Sequence, residues 1–501
     1  MKLDFFVLTQ IKPLFEARMA GRRHKQTALF DSIRELIVTG ILGFGDRLPA
    51  TRRLAEGFRL SRGSVNAVYD MLYGEGFVRS EVGRGTFVVF RQAKLLTGPD
   101  EEPAAAIPLS AWGSRLEAPY YGDAIERAGG VSTMPVFDFG IGGQMDTEEA
   151  FFPWEAWKRA QYAEIRGGNV GRVAPQEAAL SEGYYPLRQA IARHLEKMRG
   201  IRAAPEQIAV TNGSMQAIAL LTMLLVNPGD PVTVENPGYP GIWRAIRTAG
   251  GIPVPSPTDR EGVIPDEWSS RLLFVTPSRQ FPTGALLPLE RRIALLEWAS
   301  ARRAVIVEDD YDSEFRWGGR PFEPLKTMDK EGRVVYIGSF SKTMPADLRI
   351  GYAVLPGWLV EPFRKAKFWT EPQSTGLAEQ RALARFMAGG EYGRHLRRMQ
   401  RVCGRRLACL RDRLQARLGE CFALYPSEAG LHVYAEWKDS LERYDAFRSA
   451  CADAGVVWAD SARLWLGQPP RPSALFGFAH LDEGRLREAV ERMASVWSAM
   501  K

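Results

Sequence analysis

Apolar residues recur at helical spacing in the first part of the chain. In the stretch LFDSIRELIVTGIL, one helical face is formed by Leu29, Ile33, Leu36, Ile37 and Ile41. Glycine and proline then interrupt the pattern at Gly43, Gly45 and Pro49. A second, shorter helix is predicted over residues 52–58. A third begins after Ser61, whose hydroxyl is suited to cap a helix N-terminus.

The apolar pattern changes to that of a β-hairpin directly after the third helix. In FVRSEVGRGTFVVF, two runs rich in β-branched and aromatic residues are joined at Gly83-Arg84-Gly85. Three helices followed by a hairpin is the order of elements in a winged helix-turn-helix. We therefore assign residues 1–91 to a domain of that kind.

The remainder of the chain divides into a linker and a large α/β domain. Residues 92–130, with TGPDEEPAAAIPL, are rich in proline, alanine and acid, which is typical of a linker. Over residues 131–501, helical segments alternate with β-branched runs such as QIAVT, DPVTVE, RLLFVTP, AVIVEDD and RVVYIGSF. This alternation predicts an α/β fold with a mostly parallel sheet. We place a large subdomain at about 131–370 and a small one at about 371–501.

The charge is distributed unevenly between these parts. The 501-residue chain has a net charge of +7, and residues 1–91 hold 15 Lys and Arg against 9 Asp and Glu. A basic front segment favours a polyanionic partner, although it is also compatible with a merely solubilising tail. No apolar run is long enough to span a membrane, and the N-terminus lacks a signal-peptide cleavage site. We expect a cytoplasmic protein without a metal site, whose thiols are reduced: Cys403, Cys409, Cys421 and Cys451.

Several side chains of the front domain are placed to contact double-stranded DNA. The second helix of a helix-turn-helix enters the major groove with its N-terminus, and here that helix begins SRGSVNAVY. Arg62 is suited to contact guanine or phosphate. The other candidates lie at the two helix starts and at the hairpin tip: Arg52, Arg53, Ser61, Ser64, Arg84 and Gly85. Each arginine alone is also explained as a solvated surface group, but together they favour DNA binding.

The stretch DRLPATRRLAEGFRLSRGSVNAVYDMLYGEGFVRSEVGRGTFV resembles the DNA-binding domain of the GntR superfamily. The resemblance implies a transcription factor. Two positions depart from the family pattern. Ala50 stands where a capping hydroxyl is usual, and Gly63 where a longer polar residue is usual. We therefore expect an unusual operator preference.

A second set of residues suits a phosphorylated aldehyde cofactor. In SFSKTMPADLRIGY, Lys342 follows a strand and can form a Schiff base, while Ser339, Ser341 and Arg349 can hold a phosphate. In VEDDYDSEF, Asp309 can pair with a pyridinium nitrogen and Tyr311 can hydrogen-bond a phenolic oxygen. The remaining candidates are the helix N-terminus that begins at Ser214 and Met215, and Tyr239 as a stacking ring.

These residues occur within motifs that resemble the fold-type I, class I aminotransferases. The motifs come in the family's order: GYYPLRQAI, VTNGS, ENPGY, TPSRQFPTG, EDDYDSEF, SFSKT and RIGY. The resemblance implies pyridoxal 5′-phosphate bound as a Schiff base to Lys342, with Asp309, Tyr311 and Tyr239 around its ring. The implied phosphate ligands are Ser214, Met215, Ser339, Ser341 and Arg349.

The chain departs from the enzymes at two positions. Phe281 replaces the asparagine that usually precedes Pro-Thr-Gly and binds the phenolic oxygen of the cofactor. Near the C-terminus, Leu475-Phe476 stand where an arginine usually binds the substrate carboxylate. Three other arginines are candidates for that role, and the sequence does not rank them: Arg279, Arg244 and Arg471.

The combination of a GntR-type winged helix, a linker and an aminotransferase-like domain resembles the MocR/GabR family of bacterial transcriptional regulators. The resemblance implies a homodimer that binds promoter DNA and responds to an amine or amino-acid effector, or to the cofactor itself, through an aldimine. The alternative hypotheses are a true aminotransferase with an accessory DNA-binding domain, and a DNA-binding scaffold whose cofactor site is vestigial. Loss of the usual asparagine and arginine argues against the enzyme, and retention of Lys342 argues against the scaffold.

Overall fold

A computed structural model describes residues 2–20, 24–81, 83–91, 110–117, 136–141, 152–167, 181–316, 323–426 and 429–501. The chain forms two compact units, Met1–Pro108 and Leu109–Lys501. Each unit has its own apolar core.

The first unit contains the predicted three helices and hairpin, preceded by one further helix. Its elements are α1 (Lys2–Ala20), α2 (Lys25–Val38), α3 (Thr51–Phe58), α4 (Arg62–Gly74), β1 (Val78–Glu81) and β2 (Gly85–Val88). The winged helix-turn-helix order is confirmed. Because α2 ends at Val38, the prediction that Ile41 shares its apolar face is wrong, and Ile41 is 47% exposed.

Helix α1 was not predicted from the sequence. It buries Val7, Ile11 and Phe15 against the other helices, and the rings of Phe15 and Phe58 meet edge to face at 5.0 Å. Pro13 lies inside this helix. The helix therefore forms because its apolar face is covered, although proline is unfavourable at that position.

The second unit is larger and combines helices with two sheets. Its helices are α5 (Ala111–Ser114), α6 (Trp154–Arg166), α7 (Tyr185–Arg199), α8 (Ser214–Leu225), α9 (Pro240–Ala249), α10 (Leu289–Arg302), α11 (Leu325–Met328), α12 (Gly357–Thr370), α13 (Leu377–Ala388), α14 (Glu391–Leu418), α15 (Leu441–Asp453) and α16 (Glu483–Ala499). Short 3₁₀ turns occur at Arg115–Glu117, Pro205–Gln207, Ala346–Leu348 and Ser461–Leu464.

Its strands are β3 (Phe137–Phe139), β4 (Ile208–Thr211), β5 (Pro231–Asn236), β6 (Ile252–Asp259), β7 (Gly262–Val263), β8 (Leu272–Val275), β9 (Val305–Asp310), β10 (Val334–Ser339), β11 (Gly351–Val354), β12 (Phe422–Leu424), β13 (His432–Trp437), β14 (Val456–Asp460) and β15 (Ser473–Gly477). All five strands predicted from β-branched runs are present, as β4, β5, β8, β9 and β10.

Eight strands form a central sheet in the order β4-β11-β10-β9-β8-β5-β6-β7. The neighbours from β10 through β9, β8 and β5 to β6 are parallel, whereas β4, β11 and β7 pair antiparallel. The predicted mostly parallel sheet is therefore confirmed. The carboxyl ends of its parallel strands meet at one edge, where ligands bind in open α/β sheets.

The other five strands form a C-terminal sheet in the order β12-β13-β15-β14-β3. Strand β3 comes from the start of this unit and pairs parallel with β14, with Phe137 opposite Val456 and Phe139 opposite Trp458. One core joins this sheet to α14 and α16. Across the described residues, no helix is both long and apolar enough to cross a membrane.

Most of the predicted linker lies outside the described residues. Within it, α5 (Ala111–Ser114) is followed by the 3₁₀ turn Arg115–Glu117. The Nε atom of Arg115 donates to the carbonyl oxygen of Thr248 at 3.0 Å, so this segment is attached to α9 of the second unit. None of the four cysteines, all of which lie within the described residues, forms a disulfide bond; three are buried and Cys409 is half-buried.

Candidate functional site

The candidate DNA-contacting residues lie at the start of α3, the start of α4 and the hairpin tip. Helix α3 has no side-chain cap at Ala50, as its sequence predicts. The hydroxyl of Ser61 accepts a hydrogen bond from the Ser64 amide at 3.0 Å and contacts the Ser64 hydroxyl at 2.9 Å, so both serines also organise the start of α4. Arg62 follows this cap on an exposed first turn, and α4 packs on the core with its other face.

At the hairpin tip, Arg84 is 78% exposed and forms an ion pair with Glu81 at 3.2 Å. Gly85 makes room for Arg47, because a Cβ atom at Gly85 would lie 2.6 Å from the Arg47 Nε atom. Sequence reasoning missed Arg47. Its signal was its place directly before the Leu48-Pro49 pair that precedes α3, which puts an exposed cation beside both the hairpin and the helix start.

The second unit holds a cavity of about 1390 Å³. Its wall includes Thr276 after β8, Asp309 at the end of β9 and Ser339 at the end of β10. The cavity therefore lies at the carboxyl edge of the central sheet. All nine cofactor candidates from the sequence line it: Ser214, Met215, Tyr239, Asp309, Tyr311, Ser339, Ser341, Lys342 and Arg349.

One end of the cavity suits an anion. Helix α8 begins there at Ser214, after Gly213, which adopts a positive φ of 76°. The guanidinium of Arg349 lies so close to Gly213 that a Cβ there would be 2.7 Å from its Nη2 atom. The Ser339 hydroxyl donates to the Ser341 hydroxyl at 2.9 Å. Unpaired amides of a helix N-terminus, two hydroxyls and an arginine are together suited to bind a phosphate.

Asp309 supplies the complementary feature in the same cavity. Its carboxylate is 6% exposed and has no hydrogen-bond partner among the described residues. Burial, reinforced by the charges of Asp310 and Asp312, raises the pKa of Asp309 to about 7. A buried carboxyl group without a partner is stabilised as an anion only when a cation reaches it. A protonated ring nitrogen meets that requirement.

Aromatic rings surround the middle of the cavity. Phe281 contacts the ring of Tyr239 at 6.1 Å and that of Tyr311 at 5.6 Å, in both cases edge to face. Its third neighbour, His432, stands 5.8 Å away on β13. Sequence reasoning missed His432, which lies inside the GLHVYAEW stretch. Burial lowers the pKa of His432 well below its usual range, so the imidazole is neutral.

Lys342 is half-buried in the cavity wall. Its Nζ atom lies 3.4 Å from the carbonyl oxygen of Ile141, which follows β3. Burial lowers the pKa of Lys342, and the charge of Asp312 partly opposes that effect. A lower pKa increases the neutral fraction of the amine, and the neutral amine is the nucleophilic form.

The three arginines proposed for a ligand carboxylate are placed differently from one another. Arg244, on α9, lines the cavity, whereas Arg471 is exposed and is not part of its wall. Arg279 is only 4% exposed and forms an ion pair with Asp312 at 2.9 Å. The guanidinium of Arg279 is already occupied by internal acceptors, which argues against its binding a free carboxylate.

The described residues fit pyridoxal 5′-phosphate. An anion-binding end, a buried carboxyl that needs a cation, a ring-lined middle and an amine occupy one cavity. These are the four features that the phosphate, the pyridine nitrogen, the ring and the aldehyde of the cofactor require.

Comparison with known proteins agrees with both parts of this arrangement. Residues 136–493 match the family model for aminotransferase class I and II, and residues 25–88 match that for bacterial regulatory proteins of the gntR family. The chain is 34% identical to the probable rhizopine catabolism regulatory protein MocR of Rhizobium meliloti, over 95% of this chain and 94% of that protein. It is 30% identical to the pyridoxine biosynthesis transcriptional regulator PdxR of Corynebacterium glutamicum, over 92% and 93%.

Among solved structures, the α-aminoadipate aminotransferase LysN of Thermus thermophilus is similar, with a TM-score of 0.67 and 25% identity. That alignment covers 78% of this chain and 97% of the enzyme, which was solved with a phosphopyridoxyl-leucine adduct. The chain belongs to the MocR/GabR type of transcriptional regulators, in which a GntR-family DNA-binding domain is fused to a class I and II aminotransferase domain that binds pyridoxal phosphate.

Proposed function

We propose that this regulator binds promoter DNA through its winged helix and responds to a small amine that reaches Lys342. The observation that carries the proposal is the placement of the Lys342 amine in a cavity that also holds an unpartnered Asp309 and an anion-binding end. Pyridoxal phosphate supplies an aldehyde, which condenses reversibly with primary amines. The effector class is therefore an amine or amino acid, or the cofactor itself.

In this proposal each cavity residue has one task. Ser214, Met215, Ser339, Ser341 and Arg349 hold the phosphate. Asp309 would pair with the ring nitrogen: burial alone favours the neutral carboxyl, and a protonated ring nitrogen would stabilise the carboxylate while the carboxylate keeps that nitrogen protonated. Tyr311 would donate to the phenolic oxygen, and Tyr239 would stack on the ring. Lys342 provides the amine with which an incoming effector competes.

The DNA-contacting residues divide into two proposed groups. Arg62, at the exposed start of α4, reads a base edge in the major groove. The others bind phosphates and fix the register of the domain: Arg52, Arg53, Ser61, Ser64, Arg84 and the backbone at Gly85. Their common feature is their place at the helix starts and hairpin tip of the basic front segment.

We further propose that the chain works as a homodimer in the bacterial cytoplasm, where its DNA target lies. Residues 1–91 form the DNA-binding domain, 92–130 the linker and 131–501 the effector domain. An effector changes operator affinity only by the difference between its affinities for the two states of the protein. Operator DNA must change effector affinity by the same factor.

The test measures binding of the purified, cofactor-loaded protein to the DNA upstream of its own gene and of the adjacent divergent gene. Fluorescence anisotropy is recorded with and without added amines. Lys342→Ala should keep DNA binding, lose the visible absorption of the bound cofactor and lose the response to amines. The matched control Lys330→Ala changes an exposed lysine and should behave as the unsubstituted protein.

Two outcomes would contradict the proposal. If DNA affinity is unaffected by every amine and by cofactor removal, the aminotransferase-like domain is not a sensor. If the protein steadily converts an amino acid and an oxo acid while its DNA binding stays constant, it is an aminotransferase with an accessory domain.

A further inference from the structure

Arg279 lies in the loop that follows β8, at the edge of the cavity but not open to it. Its guanidinium donates to the Tyr311 hydroxyl oxygen at 2.8 Å and to the Asp312 carboxylate at 2.9 Å. It also donates to the carbonyl oxygens of Ala429 at 3.1 Å and of His432 at 2.8 Å. One buried cation thus joins two residues that follow the central sheet to two carbonyls at the start of β13 in the C-terminal sheet.

The bond to Tyr311 fixes the direction of a proton. A guanidinium has only donors, so in this contact the tyrosine oxygen must accept. The single hydroxyl hydrogen of Tyr311 is then free to point elsewhere, and Tyr311 lines the cavity. Arg279 therefore leaves the Tyr311 hydrogen available for donation to a ligand oxygen.

The backbone around Gly430 is shaped to admit this guanidinium. Gly430 adopts a positive φ of 82°, and a Cβ atom there would lie 2.2 Å from the Arg279 Cζ atom. The Gly430 amide also donates to the carbonyl oxygen of Phe315 at 2.6 Å. The segment between Ala429 and His432 is therefore held against the central-sheet region at two adjacent points.

Several charged and titratable groups act on the residues that Arg279 contacts. The carboxyl of Asp312 is acted on by the cations of Arg279 and Lys342 and by the charge of Asp310. Glu235, on β5, acts on Tyr311, and His432 is acted on by both Arg279 and Lys342. Arg279 and Lys342 therefore both act on the Asp312 carboxyl, and Asp312 in turn acts on Lys342.

We propose that Arg279 is a positioning residue that directs the Tyr311 hydroxyl hydrogen into the cavity and fastens the C-terminal sheet to the same edge of the cofactor site. This inference rests on the proposed function of the cavity and extends it to a residue that does not touch the ligand. A ligand that displaces the Tyr311 hydroxyl is thereby linked, through one guanidinium, to the start of β13.

Two substitutions separate charge from geometry. Arg279→Gln removes one of the cations that act on Asp312, so this carboxyl is left to pair with the nitrogen at Lys342, which favours the protonated form of that nitrogen. The pH midpoint of the absorbance titration of the cofactor-loaded protein should rise by about one unit. Arg279→Lys keeps the charge but cannot reach four acceptors with one ammonium group. Its midpoint should stay near that of the unsubstituted protein.

Hydrogen exchange measures how firmly Arg279 holds the backbone segment at the start of β13. Backbone amides over residues 429–433 should exchange at least about tenfold faster in Arg279→Lys and Arg279→Gln. Gly430→Ala should produce the same local increase with Arg279 still present, because the new Cβ displaces the guanidinium. The control Arg202→Gln changes an arginine whose side chain is 88% exposed and should alter neither measurement.

The proposal is overturned if the titration midpoint of Arg279→Gln and the exchange of residues 429–433 both match those of the unsubstituted protein. It is also overturned if Arg279→Lys shifts the midpoint as far as Arg279→Gln does. Failure of the proposed function looks different, since the unsubstituted protein itself would then bind no cofactor and give no titration. If Arg279→Gln fails to fold, the hydrogen exchange of residues 429–433 in Gly430→Ala still tests the proposal.

Discussion

The two units of the chain use arginine in opposite ways. In the first unit, Arg62 and Arg84 extend from a helix start and a hairpin tip into solvent. In the second, Arg199 and Arg279 are buried and pair with Asp310 and Asp312. An exposed cation adds little to folding and remains available for an external phosphate, whereas a buried pair is costly to break. The comparison predicts that stability depends on the second group and DNA affinity on the first.

The largest expected effect comes from breaking a buried pair. Arg199 bonds Asp310 and Ser278, both at 2.7 Å, and Asp310 also accepts from Tyr336 at 2.6 Å. Arg199→Met leaves Asp310 without its cation, so we expect the free energy of unfolding in urea to fall by about 3–5 kcal/mol. The exposed neighbour Arg202→Met should change it by less than about 0.5 kcal/mol. Equal losses in both variants would break the comparison.

A buried carboxyl without a cation should behave in the reverse way. The pKa of Asp309 is raised to about 7 in the folded, cofactor-free protein. As pH rises from about 4 to about 7, the unfolded chain loses the proton that the folded chain keeps, so stability falls. Asp309→Asn should therefore stabilise the cofactor-free protein by about 2–4 kcal/mol at pH 8 and by almost nothing at pH 4.

Denaturant unfolding at the two pH values measures this difference, and an equal effect at both would contradict it. The same substitution should weaken cofactor binding, because an amide does not hold the ring nitrogen protonated. Asp309 is thus expected to favour ligand binding at the expense of the empty protein's stability.

A smaller effect is expected at the base-reading position. Arg62→Ala should weaken operator binding by about 1–3 kcal/mol if the guanidinium contacts a base, with unfolding unchanged. Anisotropy titrations on the operator and on unrelated DNA measure the loss, which should be larger on the operator. A uniform loss on both DNAs would reassign Arg62 to a phosphate.

The smallest effect is expected at the hairpin tip. Arg84→Ala removes an exposed ion pair with Glu81, so stability should change by at most about 1 kcal/mol. If Arg84 contacts a phosphate, the slope of log affinity against log salt concentration should decrease by about one. An unchanged slope would show that this arginine does not reach the DNA backbone.

Local patterns predicted much of this molecule, because strands such as β5, β9 and β10 contain short runs of β-branched residues, which are typical of a sheet covered on both faces. Alternation along β9 also separates Asp309, which faces the cavity, from Asp310, which pairs with Arg199. Helix α1 was missed because Lys12 and Pro13 interrupt its pattern, while the cover that stabilises it comes from other helices.

The place of Arg279 could not be predicted from the sequence for a related reason. Its backbone acceptors are the carbonyl oxygens of Ala429 and His432, about 150 positions later in the chain. No local sequence pattern indicates which side chain will donate to a given carbonyl oxygen. A motif match brings an arginine to the edge of a site. Only the packing of two sheets decides whether its donors face the ligand or the protein.

The pairing of β3 with β14 has a consequence for synthesis on the ribosome. The DNA-binding unit has its own core and can fold early, but β3 must wait for residues 456–458, more than 300 positions later. Ile141, whose carbonyl meets Lys342, follows β3 and gains its fixed place only then. A polypeptide released before that point would carry a folded DNA-binding domain and an incomplete effector domain. Such a fragment would bind operators without responding to the effector.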